Sequence, residues 1–374
     1  MQIDIQILIT ATLALIAAGI ISFITTPIVR LFAQKVGAVD VPKDSRRVHN
    51  HPIPRMGGLA IFIGFVLSVV LFASVDNQMR GILLGAVIIT VVGVVDDITP
   101  LPALLKLVIQ IAAALVAVAF GVRIEFLANP IWWSETMYID LGFLSIPVTV
   151  LWIVGLTNAV NLIDGLDGLA CGVSAIASIA MMTIALAMGQ WNTAIILAAL
   201  VGACFGFMPF NLNPARIFMG DTGALMLGYV MACISITGLL KFYAIISFIV
   251  PLLALGLPIF DTAFAIIRRL AHGQNPMSPD RGHFHHRLID MGLSQKQAVA
   301  LLYAISAILG FASVLIATSG EMRAIVLIFA FCVAFAIGLA LMRSVYPERF
   351  GINSDEESQT PSDPKSEEKG EEDK

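Results

Sequence analysis

The stretch Asn158-Ala-Val-Asn161-Leu-Ile-Asp164-Gly-Leu-Asp167-Gly168 directly follows an apolar run, residues 143–156. Carboxylates at the edge of a bilayer are costly, so they mark a candidate functional site. The four polar residues recur at every third position, and on a continuous helix they would spread over roughly half the circumference. We therefore predict that the helix breaks at the glycines and that the chain turns to bring both carboxylates toward one point. Two acids and two amides around a turn suit a divalent cation or sugar hydroxyls. The alternative is a polar helix end with capping residues.

The composition assigns the chain to the membrane. Of the 374 residues, 58% are hydrophobic and 13% are charged, and the mean hydropathy is +0.90. These values are typical of an integral membrane protein and exclude a soluble domain with a single anchor. The first apolar run has no basic segment before it, so we interpret it as a retained span and not as a signal peptide. The four cysteines lie singly in apolar runs without metal-binding spacing and are predicted to be core residues.

A run of about 20 apolar residues crosses a bilayer as a helix. On this basis we predict an all-α polytopic membrane protein with about eleven transmembrane helices. The predicted spans are 5–33, 56–75, 81–95, 102–121, 143–160, 169–188, 192–210, 221–239, 243–268, 299–318 and 323–343. The third span is short. Residues 1–343 would form the transmembrane domain, and residues 344–374, with ten acidic and four basic side chains, would form a disordered acidic tail.

Basic residues in the loops predict the orientation. The loops after the first and ninth helices are rich in lysine and arginine, which places both in the cytoplasm. The N-terminus is then outside and the C-terminus cytoplasmic. With this topology every polar cluster falls on the cytoplasmic side, whereas random scatter would put some clusters outside. We therefore predict one concentrated site facing the cytoplasm.

Asp96 and Asp97 end the third predicted helix. Adjacent residues on a helix point about 100° apart, so one acid would face a site and the other a neighbouring element. Two carboxylates at a membrane edge repel each other and are expected beside a cation or a basic group. Carboxylates also oppose the dipole at a helix C-terminus, which argues against a purely structural role. Lys106, one turn into the next helix, would supply positive charge for a phosphate; a lysine reaching toward the membrane surface is the equal alternative.

A compact polar cluster spans residues 211–223. Asp221 stands where the eighth predicted helix begins, so it would either cap that helix or act as a fixed ligand of Mg²⁺ with substrate phosphates completing the octahedron. Phe218, in the same polar loop, would stack on a nucleobase or contact the membrane. Asn213 is a candidate nucleotide or sugar ligand.

Histidines and arginines concentrate in residues 280–287, which hold three of the six histidines. Zinc is disfavoured because neither a cysteine nor a second paired motif accompanies them. A cluster of this kind in a basic loop suits a phosphate or a pyrophosphate, and a lipid-headgroup contact is the alternative. The candidate ligands are Arg281, His283, His285 and His286. Arg46, in the first loop, would either bind phosphate as well or only help to set the orientation of the chain in the membrane.

Other functional classes fit less well. A transporter would place its polar site near the midplane on broken helices of repeated halves, and no internal repeat is found. Asp261 is the one carboxylate that would lie deeper; it stands two turns before Arg268 and is interpreted either as a partner of that arginine or as a functional group. No phosphate-binding glycine loop is present, so the chain is not a nucleotide-hydrolysing motor, and no nucleic-acid partner is expected.

Four segments together resemble the polyprenyl-phosphate N-acetylhexosamine-1-phosphate transferases. They are Val95-Asp96-Asp97, Asn161-Leu-Ile-Asp164-Gly-Leu-Asp167-Gly168, Phe218-Met-Gly-Asp221 and His283-Phe-His285-His286, in this order within about residues 30–317. The resemblance implies transfer of a phosphosugar from a UDP-sugar to undecaprenyl phosphate, with release of UMP, at the cytoplasmic face of the bacterial inner membrane. It also implies a requirement for Mg²⁺, for which Mn²⁺ would be a substitute. Membrane lipids are expected neighbours, and a homodimer is compatible with the sequence.

Residues 278–287 resemble the branch that uses UDP-N-acetylglucosamine, the undecaprenyl-phosphate N-acetylglucosaminyl 1-phosphate transferases. This branch starts cell-envelope polymers such as teichoic acid and O-antigen. The branch that uses UDP-N-acetylmuramoyl-pentapeptide for peptidoglycan usually has an Ala-Pro-Leu-His-His-His version of this segment, which is absent here. That branch and a non-catalytic lipid-binding or transport protein are the alternatives.

The resemblance also implies roles for individual residues. Asp221 and Asp97 would bind Mg²⁺, and Asp96 or Asp97 would act as a base on the lipid phosphate or assist the metal. Asp164 would hold the nucleotide and metal region and is a further catalytic candidate, and Phe218 would face the uracil. The candidate nucleotide and sugar ligands are then Asn158, Asn161, Asp164, Asp167, Asn213 and Phe218. The candidate phosphate ligands are Arg281, His283, His285, His286, Lys106 and Arg46.

Overall fold

The computed structural model describes residues 5–41, 52–128, 138–239, 251–271 and 283–319. The helices are α1 Ile5–Val36, α2 Gly58–Phe72, α3 Asn77–Ile98, α4 Ala103–Ala119, α5 Ser145–Ile163, α6 Leu169–Ala187, α7 Trp191–Asn211, α8 Gly220–Ile234, α9 Gly256–Ala271, α10 Phe284–Asp290 and α11 Gln295–Ser319. A 3₁₀ turn, Gly142–Leu144, precedes α5, and a π-helix, Ser235–Leu239, continues α8. Two short antiparallel ribbons, which the sequence does not predict, pair β1 Val39–Asp40 with β2 Ile53–Pro54 and β3 Phe126–Ala128 with β4 Tyr138–Asp140.

Seven helices of the described part are long and apolar enough to cross a membrane. They are α1, α3, α5 with its preceding 3₁₀ turn, α6, α7, α8 with its π-helical continuation, and α11. Helices α2 and α4 are apolar but shorter. The prediction of an all-α polytopic membrane protein is therefore confirmed. The total of eleven spans and the orientation remain predictions, and the predicted span 323–343 and the tail 344–374 lie outside the described residues.

The length of the third helix corrects the sequence prediction. The sequence predicts a short span, 81–95, whereas α3 has 22 residues, Asn77–Ile98. Asp76 caps its N-terminus by accepting a hydrogen bond of 2.8 Å from the backbone N–H of Met79. The prediction follows the apolar run alone, and polar residues continue this helix beyond that run at both ends.

Small residues allow α1 and α7 to pack closely. Gly202 and Gly206 of α7 face the backbone of α1, and a Cβ at these positions would overlap the carbonyl oxygens of Leu15 and Gly19 respectively. Between lipid-embedded helices the hydrophobic driving force is weak, so close van der Waals contact supplies much of the association. The side of α1 that carries Ile16, Ile20 and similar residues is exposed, as expected of a lipid-facing surface.

The first turn of α8 lies beside the last turns of α3. A Cβ at Gly93 of α3 would lie 2.6 Å from the backbone nitrogen of Thr222, and Gly58 of α2 packs equally closely on Gly223. These contacts need the absence of a side chain at both glycines. They bring Asp97 next to the N-terminus of α8.

The β1–β2 ribbon attaches to the loop before α8. The N–H of Phe218 donates to the carbonyl oxygen of Pro54 at 2.8 Å, and the N–H of Gly57 donates to the carbonyl oxygen of Phe218 at 2.9 Å. The segment that precedes α2 therefore fixes the loop that enters α8. The ends of α3, α5, α7 and α8 thus meet at one end of the helical bundle.

Candidate active site

Two carboxylates converge on the ammonium group of Lys106. Its Nζ lies 3.2 Å from Asp96 Oδ2 and 3.0 Å from Asp221 Oδ2. The carboxyl groups of Asp96 and Asp221 also lie within hydrogen-bonding distance of each other, and the side chain of Asn161 hydrogen-bonds to Asp221. One cation is thus held between two acids, and an amide binds one of these acids. Four predicted site residues from α3, α4, α5 and α8 meet here.

Asp97 caps helix α8 from the neighbouring helix α3. Its Oδ1 accepts from the N–H of Asp221 at 3.1 Å, and its Oδ2 accepts from the N–H and the Oγ1 hydroxyl of Thr222 at 3.2 and 2.6 Å. Negative charge is favourable at a helix N-terminus, so this contact stabilises the buried carboxylate. Asp96 and Asp97 therefore diverge as the sequence predicts. The capping function considered for Asp221 belongs to Asp97, and the Asp221 side chain points to Lys106.

The predicted helix break is confirmed. Helix α5 ends at Ile163 and α6 begins at Leu169, with Gly168 at a φ of +78° before it. Asp164 lies in this turn. The pKa of Asp164 is raised to about 8, mainly because the carboxyl group is removed from water and also because Asp221 and Asp97 are negatively charged. The positive charge of Arg55 acts in the opposite direction and lowers this pKa. The turn therefore brings Asp164 to the carboxylates of Asp97 and Asp221, and we call these three residues, together with Asp96, the acidic centre. The carboxyl group of Asp164 is mostly protonated at pH 7 when no metal ion is bound.

Asp167 holds the loop between α7 and α8. Its Oδ2 accepts from Asn213 Nδ2 at 2.9 Å and from the N–H of Ala215 at 3.0 Å. Asn213 Nδ2 also donates to Gln295 Oε1 of α11 at 2.7 Å. Two of the predicted nucleotide-binding residues thus bind each other, and together they fix the loop that carries the half-buried Phe218.

The side chain of Asn158 contacts Gln110 of helix α4 and the backbone of its own helix, α5. Its Nδ2 donates to Gln110 Oε1 at 2.6 Å and to the carbonyl oxygen of Val154 at 2.8 Å. Gln110 is buried. The structure therefore places this predicted sugar ligand in a polar contact between α4 and α5, one turn before Asn161.

The three predicted histidines lie together beside the α5–α6 turn. The rings of His283 and His285 stack with centroids 5.8 Å apart and planes 9° apart, and the centroids of His285 and His286 are 4.3 Å apart. The ring of His285 packs on Gly165, where a Cβ would lie 2.9 Å from ring atoms Cδ2 and Cε1 and closer still to Nε2. Residues 283–286, which we call the histidine segment, are thereby in contact with the turn that carries Asp164.

His285 is buried and uncharged at neutral pH. The pKa of His285 is lowered to about 4, mainly because the ring is removed from water and also because His286 and His283 lie close to it. The negative charge of Asp261 acts in the opposite direction and raises this pKa. A neutral imidazole has one donor and one acceptor nitrogen. His285 would therefore contact a substrate by hydrogen bonding and not as a cation.

Asp261 of α9 binds the start of the histidine segment. Its Oδ2 lies 3.0 Å from His283 Nδ1, and its Oδ1 accepts from the N–H of Phe284 at 2.9 Å. Asp261 is 2% exposed and His283 4% exposed. The sequence left two interpretations of Asp261, a partner of Arg268 or a functional group. These contacts support the second interpretation, because they place Asp261 beside the site.

Two predicted phosphate ligands, Arg46 and Arg281, lie outside the described residues. Within the described ranges, no group of three or more His, Cys, Asp or Glu side chains is arranged to hold a metal ion. A site built from protein ligands alone, as zinc would need, is therefore not found there. Mg²⁺ differs, because it usually takes only one or two carboxylates and completes its shell with water and substrate phosphates. Asp96 and Asp221 satisfy that smaller requirement.

The fold and the site define a polytopic membrane protein with an acidic, histidine-flanked centre at one end of its bundle. The profile of Glycosyl transferase family 4 matches residues 79–239, from α3 to the π-helix after α8, and so includes every residue of the acidic centre. The chain is 40% identical to a probable undecaprenyl-phosphate N-acetylglucosaminyl 1-phosphate transferase of Bacillus subtilis over 341 residues, 90% of this chain and 94% of that protein.

Two further relatives have names that describe the same kind of transferase. The decaprenyl-phosphate N-acetylglucosaminephosphotransferase of Mycolicibacterium smegmatis is 36% identical over 79% of each chain. The undecaprenyl-phosphate alpha-N-acetylglucosaminyl 1-phosphate transferase of Escherichia coli K12 is 29% identical over 86% of this chain and 88% of its own. The chain belongs to glycosyl transferase family 4, the family of polyprenyl-phosphate N-acetylhexosamine-1-phosphate transferases.

Proposed function

We propose that this protein transfers N-acetylglucosamine 1-phosphate from UDP-N-acetylglucosamine to undecaprenyl phosphate and releases UMP. The observation that carries the proposal is the convergence of Asp96 and Asp221 on one cation at the end of a membrane bundle, directly beside a turn contacted by His285. The names of these relatives support the same acceptor class and the same sugar. Such a product is the first lipid-linked intermediate of a cell-envelope polymer.

We propose Mg²⁺ as the cofactor, held by Asp221 and Asp96. In this structure the Lys106 ammonium lies between these two carboxylates, so their oxygens already converge on a positive charge. When bound, the metal would supply a positive centre that offsets charge on the diphosphate and the departing UMP. Asp97 takes part indirectly, because its cap on α8 fixes the backbone that carries Asp221.

The remaining residues offset charge and orient the two reactants. In the proposed reaction an oxygen of the lipid phosphate attacks the β-phosphorus of UDP-N-acetylglucosamine, a new P–O bond forms, and the bond to the bridging oxygen breaks to release UMP. Both reactants are anions, so Lys106 and the histidine segment lower the repulsion between them. The demand on a base such as Asp96 or Asp164 is small, because a phosphate monoester with a second pKa of about 6 is largely ionised at pH 7.

The proposal is tested by UMP release from UDP-N-acetylglucosamine and undecaprenyl phosphate with the purified protein. Unlabelled UDP-N-acetylmuramoyl-pentapeptide is added as a competitor. We expect UMP only when both substrates are present, and no competition. UMP release from the pentapeptide substrate instead would assign the peptidoglycan reaction. No UMP from either donor would leave a non-catalytic lipid-binding protein.

A direct attack and a covalent route through an aspartyl phosphate are separated by trapping. Radioactive UDP-N-acetylglucosamine is incubated with the protein without acceptor, and the protein is then denatured. For a direct attack we expect no label on the protein and full turnover once the lipid phosphate is added. Stoichiometric label on the protein would show that a carboxylate is the nucleophile.

Replacing Gly165 by Ala should reduce kcat/KM for UDP-N-acetylglucosamine by about 10- to 100-fold, because an added methyl group displaces the buried ring of His285. The φ of Gly165 is not in the left-handed region, so the backbone itself tolerates alanine. Gly155→Ala, in the helix α5 that precedes this turn, is the matched control, since its Cβ would meet no atom within 4 Å. Equal activity of the two variants would show that His285 need not lie against this turn.

We also propose that the active site faces the cytoplasm of the bacterial inner membrane, with the N-terminus outside. The basic first loop and the cytoplasmic origin of UDP-sugars support this orientation. Single cysteines introduced at residues 2 and 370 of a cysteine-free variant report it. A membrane-impermeant maleimide should label residue 2 in intact spheroplasts and residue 370 only after lysis; the reverse pattern would overturn the orientation.

A further inference from the structure

The two oxygens of the Asp261 carboxylate make two different contacts in the histidine segment. Oδ2 meets the imidazole of His283 at Nδ1, 3.0 Å away, and Oδ1 accepts the backbone N–H of Phe284 at 2.9 Å. Both side chains of this pair are almost fully buried. The two groups lie 22 positions apart in the chain, and His283 directly precedes α10, so the pair joins α9 to the start of α10.

These contacts set the position of the whole segment. The N–H of Phe284 belongs to the first residue of α10, so its bond to Asp261 fixes where that helix starts. His285, the next residue, packs on Gly165 in the turn of Asp164. The bond to Nδ1 fixes the orientation of the His283 ring and commits one ring nitrogen to the protein. Within the described part of the chain, Nε2 is then the ring nitrogen of His283 that remains for a ligand.

We propose that Asp261 is a positioning residue of the phosphotransfer site. It holds the Nδ1–H of His283, so that the ring carries a second proton on Nε2 when the diphosphate of the UDP-sugar is bound, and this Nε2–H donates to the diphosphate. The proposal rests on the proposed function, in which the histidine segment binds the diphosphate. The carboxylate also balances the positive charge of the ring when Nε2 carries a proton to a phosphate oxygen. Asp261 itself touches no substrate.

The Asp261→Asn variant tests this geometry because both partners of the carboxylate are donors in the proposed state. An asparagine has one acceptor oxygen and one NH₂ group. Since the N–H of Phe284 is always a donor, the NH₂ group must turn toward His283. The ring then accepts at Nδ1 and holds its single proton on Nε2. The variant therefore loses the positive charge of the ring, while the shape of residue 261 does not change.

The tautomer is read by ¹⁵N NMR of histidine-labelled protein in detergent. The chain has six histidines, so the spectrum is simple, and His283→Gln assigns the signal. We expect a protonated Nδ1 on His283 in the wild type and an unprotonated Nδ1 in Asp261→Asn. An unprotonated Nδ1 in the wild type would overturn the proposal, and this measurement needs no variant to fold beyond the one used for assignment.

Kinetics provide the second test. We expect Asp261→Asn to reduce kcat/KM for UDP-N-acetylglucosamine by about 10- to 100-fold, mainly through KM, because His283 then binds the diphosphate as a neutral ring and no longer through a charge-assisted hydrogen bond. If Asp261 acts through His283, the double variant Asp261→Asn/His283→Gln should be no slower than His283→Gln alone. Losses that multiply would show that Asp261 acts independently of His283, which would overturn the proposal.

Asp140→Asn is the matched control for the charge change. Asp140 lies in the β3–β4 ribbon, and its exposed carboxylate accepts one side-chain hydrogen bond within the described residues, from the N–H of Gly142. This variant should keep wild-type kinetics. Failure of the wild type to release UMP would remove the proposed function but not the tautomer assignment. Wild-type release with an unaffected Asp261→Asn variant would remove the positioning role alone.

Discussion

Replacing Asp221 by Asn is expected to reduce kcat/KM for UMP release by about 1000-fold or more. Asp221 contacts Lys106, Asp96 and Asn161, so it lies in the middle of the acidic centre. An amide of the same shape removes one of the two negative charges that would hold Mg²⁺. The rate is measured at several Mg²⁺ concentrations, and saturating metal should not restore it.

The same substitution should leave the protein folded. Asp97, and not Asp221, caps α8, so the helix start does not depend on the lost carboxylate. The ammonium of Lys106 keeps Asp96 as its partner, which leaves a balanced pair where two acids shared one base. Thermal unfolding followed by tryptophan fluorescence should therefore match the wild type.

Asp76→Asn is the control for Asp221→Asn. Asp76 caps α3 at the opposite end of the bundle, and asparagine caps a helix about as well as aspartate, so this variant should be active and stable. Wild-type turnover and wild-type Mg²⁺ dependence in Asp221→Asn would remove the metal role of Asp221. The convergence on Lys106 would then be an ordinary ion pair.

The composition and the local motifs predict much of this molecule. The apolar runs predict a helical membrane protein, because every backbone polar group in a bilayer must be satisfied within the helix. The glycines after Asn161 predict the break between α5 and α6, because a polar stripe at every third position has no common face on a continuous helix. The adjacent acids Asp96 and Asp97 predict two different environments, and the structure contains both.

Partners from distant parts of the chain could not be predicted. The cap that Asp97 makes on α8 joins residues more than 120 positions apart, and the bond from Asp261 to His283 joins two helices. A capping motif is visible in a sequence only when the cap and the helix are adjacent. Gln110, which binds Asn158, is a single polar residue in an apolar helix, and its position indicates no partner.

The length of α3 shows the same limit within one element. Hydropathy identifies the part of a helix that lies in lipid, but a helix ends where its caps are. In α3 the polar ends carry the cap at Asp76 and the two acids of the site, so the functional residues lie within the last turn and outside the apolar run. Reading apolar runs alone separates these acids from the helix that positions them.

Replacing Gly220 by Ala should damage both stability and activity more than any other glycine substitution considered above. Gly220 has a φ of +71°, which costs an alanine about 1–2 kcal/mol. Its Cβ would also lie 2.6 Å from Asp97 Oδ1 and nearer still to Oδ2, so the carboxylate must leave its cap. A buried acceptor left without its donors costs about 1–3 kcal/mol, and more when it is charged. We expect a much lower unfolding temperature and less than about 1% of wild-type UMP release at 25 °C, because Asp221 moves with the helix start.

Gly292→Ala separates the two causes. Gly292 has a φ of +87°, but its Cβ would meet nothing within 4 Å, so this variant reports the backbone cost alone. It should lower the unfolding temperature modestly and keep its activity. The further loss in Gly220→Ala then measures the contact with Asp97. If the two variants lose equal stability and both remain active, the Asp97 cap does not position Asp221, and the link from α3 to the metal-binding carboxylate is wrong.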